Sequence, residues 1–129
     1  MSKLIKKVAL IGGGVIGGGW AARFLLNGID VNVYDPSDSA ERSLNEMLSN
    51  ARGAYSKLTM APLLKPGKLV FLDSLEKVVQ DVEFVQESAP ENPDLKCSIL
   101  KEIEQFASET SLICSSTSGL KPSDLQAEM

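Results

Sequence analysis

Six consecutive residues and a later carboxylate are the part of the sequence best suited to chemistry. Residues 12–17 read GGGVIG, which fits the pattern G-x-G-x-x-G, and Asp35 lies 18 positions after Gly17. In this pattern the glycines permit a tight turn, a close approach of pyrophosphate to the backbone, and close packing of helix on strand. The start of the following helix also attracts phosphate. We therefore predict that a dinucleotide is bound by Gly12, Gly13, Gly14, Val15, Ile16 and Gly17.

The carboxylate of Asp35 indicates which dinucleotide is bound. We expect it to accept hydrogen bonds from the adenosine ribose and to repel a 2′-phosphate at the same place. No arginine follows Asp35 directly, and Arg42 already lies in the next predicted helix. NAD is therefore predicted as the cofactor in preference to NADP. Two alternatives stay open from these residues alone: a structural glycine turn beside a surface aspartate, and flavin binding by the same strand–helix–strand unit.

The elements that must position these residues alternate between strand and helix. Short apolar runs indicate strands, and apolar residues at three- and four-residue spacing indicate helices. The predicted strands are residues 8–11, 31–35, 69–72, 82–86 and 112–114. The predicted helices are residues 15–27, a long helix from about 38 to 58, residues 75–80, a helix capped by Asn92, and a short one from Pro122. This order predicts an α/β fold with a doubly wound, mostly parallel sheet of the Rossmann type.

Composition excludes several functions for the 129-residue chain. Its net charge of −4 and pI near 4.8 disfavour binding to nucleic acid or to an anionic membrane. No apolar run approaches the ~18 residues of a membrane-spanning helix. The two cysteines, Cys97 and Cys114, lack metal-ligand spacing, so we predict reduced core cysteines, no metal site and a cytoplasmic location. There is no histidine, so the commonest general base near neutral pH is missing.

Three separated segments resemble the NAD-binding domain of the 3-hydroxyacyl-CoA dehydrogenase family. They are residues 9–17 (ALIGGGVIG), residues 87–92 (ESAPEN) followed by Leu95 and Lys96, and residues 115–120 (SSTSGL). Within that family, residues 84–91 (FVQESAPE) and 115–123 (SSTSGLKPS) are most similar to the L-carnitine 3-dehydrogenase branch, with the L-gulonate dehydrogenase branch as a near neighbour. The resemblance implies NAD-dependent oxidation of the 3-hydroxyl of a 3-hydroxy acid to a 3-oxo acid.

The resemblance also implies roles for residues near the ends of the last two predicted strands. Glu91 and Lys96 match family residues that contact NAD. Ser116 matches a position near the nicotinamide, where the acyl-CoA enzymes usually have asparagine, and Ser118 matches a serine that contacts the substrate oxygen. Plainer alternatives remain from the residues themselves: a surface salt bridge between Glu91 and Lys96, and a helix-capping turn at residues 116–118.

According to the same resemblance, the catalytic machinery extends past these residues. In the family a catalytic histidine, its glutamate partner, and a helical domain that closes over the substrate and forms a homodimer follow the Ser/Thr segment. We therefore expect residues 1–129 to be an N-terminal cofactor domain without its last strand. Such a chain would be inactive by itself, and its unprotected sheet edge would favour self-association.

The segment from residue 38 to residue 60 bears on the substrate. CoA-linked members of the family carry a lysine-rich arm here, and Ala51 stands about where they have a CoA-contacting serine. In this chain the charges balance, with Arg42, Arg52 and Lys57 against Asp38, Glu41 and Glu46. Because a neutral arm is a poor receptor for a polyanionic carrier, we predict a small hydroxy acid as substrate. A 3-hydroxyacyl-CoA ester and a non-catalytic NAD(H)-binding module are the alternatives.

Overall fold

The computed structural model describes residues 4–58 and 65–129, and in them every predicted element is present. The strands are β1 (Lys7–Ile11), β2 (Asp30–Tyr34), β3 (Leu69–Phe71), β4 (Phe84–Glu87) and β5 (Leu112–Ser115). The helices are α1 (Val15–Leu26), α2 (Ala40–Leu58), α3 (Leu75–Val79), α4 (Pro93–Phe106) and α5 (Pro122–Leu125). None of these helices is long and apolar enough to cross a membrane. Proline and glycine between the second helix and the third strand also predict a turn at residues 61–67, and most of it lies outside the described residues.

The five strands form one parallel sheet in the order β3-β2-β1-β4-β5. This confirms the predicted doubly wound sheet. The strand order reverses between β1 and β4, so the chain after β1 and the chain after β4 continue to opposite faces of the sheet. In open α/β sheets such a switch point leaves a crevice at the carboxyl ends of the strands, where ligands bind. The loop after β1 and the first turn of α1, which together carry the six predicted residues, lie at this crevice.

Apolar layers cover both faces of the sheet, because successive side chains of a strand point to opposite faces. Along β1, Val8 and Leu10 join α1 and α2 on one face, whereas Ala9 and Ile11 join α3, α4 and α5 on the other. All four of these side chains are fully buried. The rigid centre of the sheet therefore lies directly beneath the loop at the crevice.

Some positions predicted to be buried are exposed. Cys114 is exposed and Cys97 is half-buried, so the prediction of core cysteines is wrong for Cys114. The reason is that β5 is an edge strand with alternating exposure. Leu58, at the end of α2, is exposed as well; in that helix Ala40 and Leu44 are buried, and Met47 and Leu48 pack partly buried against the same core cluster.

Strand β5 forms one edge of the sheet, and within the described residues it pairs only with β4. Its first residue, Leu112, is 60% exposed. The missing strand beyond this edge and self-association through the edge both stay predictions.

Candidate functional site

The loop after β1 and the first turn of α1 are folded so tightly that two glycines, one in each, have no room for a side chain. Gly12 has φ of +104°, and a Cβ there would lie 2.7 Å from the carbonyl oxygen of Ser88. Gly17 lies in the first turn of α1, where a Cβ would come within 2.0 Å of the carbonyl oxygen of Gly12. The loop is thus packed against both its own helix and the loop that follows β4.

Gly14, in contrast, faces open space. A Cβ built on it meets no atom within 4 Å, and the next two side chains, Val15 and Ile16, are exposed. Gly14 is the N-cap of α1, and no side-chain hydrogen bond caps this helix. An uncapped helix start beside open space presents backbone N–H groups and the positive end of the helix dipole to a ligand. These residues therefore fit the pyrophosphate of a dinucleotide.

Asp35 follows β2 directly and is held beside the loop by backbone hydrogen bonds. Its Oδ2 accepts from the N–H of Gly13 at 2.7 Å, and its Oδ1 accepts from the N–H of Ser37 at 2.8 Å. A carboxylate has about four lone-pair sites, so both oxygens retain capacity for further donors. The position and orientation of Asp35 thus suit the two hydroxyls of a ribose.

A cavity of about 840 Å³ extends from Gly14 and Asp35 to α4. This volume lies within the range of small-molecule sites. Its apolar lining includes Leu75, Leu95 and Ile99. The cavity also explains why Leu95 is 41% exposed although its helical spacing with Ile99 and Ile103 predicts that it is buried. An apolar wall with a carboxylate beside it suits an adenosine group.

On the other side of the crevice, side chains join the loops after β4 and β5. Ser116 Oγ accepts a hydrogen bond from Gln86 Nε2 at 2.7 Å and lies 2.8 Å from Ser88 Oγ. The hydroxyl of Thr117 donates to the carboxylate of Glu91. Because β4 and β5 are parallel neighbours, the residues that follow them meet at the same edge of the sheet.

An ion pair that the sequence analysis missed lies beneath this network. Lys96 Nζ donates to Glu87 Oε2 at 2.6 Å, and the two side chains are 2% and 0% exposed. Glu87 Oε2 also accepts from the N–H of Ala89 at 2.7 Å, and its Oε1 accepts from the hydroxyl of Ser115. These bonds use both oxygens of the carboxylate, which compensates for the desolvation of a buried charge. The pair ties α4 to the ends of β4 and β5.

The proposed alternative of a surface salt bridge between Glu91 and Lys96 is therefore wrong. Glu91 contacts Thr117, and Lys96 is buried against Glu87. A signal for the burial of Lys96 exists in the sequence. Lys96 precedes Leu100 by four residues and Ile103 by seven, a spacing that puts all three on one face of a helix.

The capping-turn alternative for residues 116–118 is also wrong. Helix α5 begins at Pro122, its N-cap is Lys121, and no side chain caps it. Ser118 is exposed in the loop after β5, at the carboxyl edge of the sheet. The contacts of Glu91, Lys96 and Ser116 with NAD, and of Ser118 with substrate, stay predictions.

A family model described as "3-hydroxyacyl-CoA dehydrogenase, NAD binding domain" matches residues 7–129. The match covers both the loop after β1 and the loop after β5. It agrees with the prediction of NAD as the cofactor.

Curated relatives match nearly the whole chain. A protein of Rhizobium meliloti named L-carnitine dehydrogenase/betainyl-CoA thioesterase is 56% identical over 97% of this chain and 25% of its own length. The L-carnitine dehydrogenase of Mesorhizobium japonicum is 48% identical over 98% of this chain and 35% of its own length. The chain thus spans about a quarter to a third of the length of these relatives.

Solved structures share the fold over nearly all of the chain. An NAD+ dependent dismutase described as a 5-dehydrogenase of a substituted pyridine carboxylic acid has a TM-score of 0.85 and 31% identity; the match covers 98% of this chain and 41% of that one. The (S)-3-hydroxybutyryl-CoA dehydrogenase of Ralstonia eutropha has a TM-score of 0.82 and 25% identity, over 98% and 46%.

Proposed function

We propose a function on the premise of family membership: the chain belongs to the 3-hydroxyacyl-CoA dehydrogenase family and corresponds to its NAD-binding domain. The complete protein oxidises the 3-hydroxyl of a 3-hydroxy acid to the 3-oxo acid, and its substrate is L-carnitine. The observation that carries this proposal is the 56% identity, over 97% of the chain, to the Rhizobium meliloti protein whose name includes L-carnitine dehydrogenase.

In this proposal the described residues bind and orient the cofactor, and NAD when bound accepts the hydride. The backbone of residues 12–17 holds the pyrophosphate, and Asp35 holds the adenosine ribose. Glu91 and Ser116 contact the cofactor from the loops after β4 and β5. Lys96 also contacts the cofactor in this proposal; it is 1% exposed and bonded to Glu87 in the structure.

Substrate binding and proton transfer need groups from two sources. Ser118 contacts the substrate oxygen from the exposed loop after β5. The 129 residues include no histidine, so we place the general base outside them and expect no turnover from this chain alone. We further propose that the complete protein is a cytoplasmic homodimer.

The surface of α2 supports a small substrate over a CoA ester. Three carboxylates and one guanidinium share a depression there, namely those of Asp38, Glu41 and Glu46 with that of Arg42. A CoA carrier is polyanionic, and this excess of carboxylates would repel it. This local excess of carboxylates, together with the neutral net charge of residues 38–60, supports a small substrate.

The test is the reduction of NAD by the complete gene product, followed by NADH absorbance. We expect turnover with L-carnitine and none with D-carnitine or 3-hydroxybutyryl-CoA. Turnover with the CoA ester alone would keep the family and the cofactor but overturn the proposed substrate. Binding of NADH without turnover of any hydroxy acid would favour the non-catalytic module instead.

A further inference from the structure

Ser115 is the last residue of β5, and its hydroxyl makes hydrogen bonds in two directions. It donates to the carboxylate of Glu87, which ends β4 and is its neighbour in register. The same hydroxyl oxygen accepts from the backbone N–H of Thr117 at 3.2 Å. One side chain therefore joins the end of the sheet to the loop that follows β5.

The carboxylate of Glu87 is a fixed anchor for this hydroxyl. It is fully buried, and its Oε2 accepts from Lys96 Nζ at 2.6 Å and from the N–H of Ala89 at 2.7 Å. Its Oε1 is the oxygen that accepts from Ser115. Rotation of the carboxylate would leave a buried charge without its partners, which is costly. The orientation of Glu87, and with it the position of the Ser115 hydroxyl, is therefore fixed.

The backbone of the loop after β5 is held on both sides of Ser118. Before it, the N–H of Ser116 donates to the backbone carbonyl of Glu87 at 2.8 Å, and the N–H of Thr117 is bonded as described. After it, Leu120 packs against the core cluster that includes α4 and α5. Ser118 itself is exposed. Its hydroxyl thus faces solvent from a backbone that is anchored before and after it.

We propose that Ser115, bonded to Glu87, is a positioning residue for the reaction: it fixes the loop after β5 so that Ser118 meets the substrate oxygen in a productive orientation. Rates depend steeply on such placement, and a shift of about 1 Å can cost about 100-fold. Ser115 contacts neither substrate nor cofactor in this proposal, since it acts through the backbone of Thr117. The inference rests on the proposed function, because it adds a residue to the substrate side of the same site.

The experiment compares Ser115→Ala with Ser111→Ala in the complete gene product. Ser111 precedes β5 at the opposite end of the strand, is half-buried like Ser115, and donates its hydroxyl to the carbonyl of Val82. We expect Ser115→Ala to lower kcat/KM for L-carnitine by about tenfold or more, while NADH affinity changes by less than about threefold. Ser111→Ala should leave both unchanged, although thermal unfolding should show a similar small loss of stability in the two variants. Ser115→Thr retains the hydroxyl and should restore kcat/KM.

Amide hydrogen exchange at Thr117 provides a second measurement, which needs no substrate. In Ser115→Ala the N–H of Thr117 loses its acceptor, so we expect its exchange to become about three- to tenfold faster. Ser111→Ala should leave this exchange as in the parent protein. Unchanged exchange in Ser115→Ala would show that the hydroxyl does not hold the loop, and would overturn the proposal whatever the activity.

The kinetic outcomes separate this inference from the proposed function. A selective loss of kcat/KM in Ser115→Ala, reversed in Ser115→Thr, supports the inference. Equal losses in the two alanine variants, or a loss of NADH affinity as large as that of kcat/KM, would indicate a merely structural role and overturn it, as would an unchanged kcat/KM. If the parent protein turns over 3-hydroxybutyryl-CoA instead of L-carnitine, the same comparison is made with that substrate. A parent protein without turnover would overturn the proposed function itself, and the positioning role with it.

Discussion

The two ends of the crevice are built in different ways. At the glycine end, the loop after β1 depends on backbone shape and on missing side chains, with Asp35 held by backbone N–H groups. At the β4–β5 end, the loops are joined by bonds between side chains that are 26 to 30 positions apart in sequence. The first end therefore depends on space, and the second depends on polar groups that satisfy one another.

Substitutions at the two ends should therefore affect different properties, namely cofactor binding at the glycine end and stability at the β4–β5 end. A side chain added at the glycine end should clash and block the cofactor. A side chain shortened or neutralised at the other end should leave a polar partner unsatisfied, which costs stability. Substitutions with matched controls test whether the two ends differ in this way.

The largest effect on stability is expected for Lys96→Met. This change leaves the carboxylate of Glu87 buried without its ion-pair partner, which costs about 3–5 kcal/mol. Chemical denaturation measures the loss in free energy of unfolding. Lys101→Met is the control, because Lys101 lies on the same helix with its side chain 60% exposed, and we expect a change within about 0.5 kcal/mol. Equal effects of the two variants would show that the buried pair does not stabilise the β4–β5 end.

The double variant Glu87→Gln with Lys96→Met refines this test. It removes both charges, so part of the lost stability should return. A double variant less stable than Lys96→Met alone would show that Glu87 stabilises the domain mainly through Ala89 and Ser115.

A smaller loss of stability, but a large loss of binding, is expected for Gly17→Ala. Its Cβ would lie 2.0 Å from the carbonyl oxygen of Gly12, so the loop must shift. Overpacking of this kind costs about 1–3 kcal/mol, and we expect NADH affinity to fall by more than about tenfold, equivalent to about 1.4 kcal/mol. NADH titration and thermal unfolding measure the two effects.

Gly19→Ala is the control for that substitution. Gly19 lies two residues further along α1, and a Cβ there meets no atom within 4 Å. Alanine is the better helix former by up to about 1 kcal/mol, so we expect equal or higher stability and unchanged binding. Loss of NADH affinity in this variant would contradict the view that only the close approach at Gly12 and Gly17 matters.

The glycine end of the crevice could be predicted from the sequence more completely than the β4–β5 end. The glycine loop, Asp35 and the alternating elements could be predicted because the pattern and its context lie within one strand–helix–strand unit. The Glu87–Lys96 pair was missed because the predicted fourth strand ends at residue 86 and Lys96 is predicted to contact NAD, with a salt bridge to Glu91 as the alternative. Gln86, Ser88 and their contact with Ser116 depend on the register between β4 and β5, which local periodicity does not determine.

A moderate effect on selectivity is expected for Asp35→Asn. The carboxylate disfavours the 2′-phosphate of NADPH, so its neutralisation should narrow the difference between NADH and NADPH affinities by about tenfold, or about 1.4 kcal/mol. Asp38→Asn serves as the control because Asp38 is exposed in the turn that follows. Equal affinities of the parent protein for NADH and NADPH would overturn the role of Asp35.

The smallest effect is expected for Thr117→Val, which removes the hydroxyl that donates to Glu91. Since Glu91 is exposed, water can replace much of this bond, and we expect NADH affinity to fall by about two- to threefold, near the lower limit for one hydrogen bond. Thr117→Ser retains the hydroxyl and should restore binding. ADP-ribose affinity should not change in either variant, because the adenosine end is held by its own backbone. A parallel loss of ADP-ribose affinity would mean that the loop after β5 also positions the glycine end, and the two ends would then have to be treated as one coupled site.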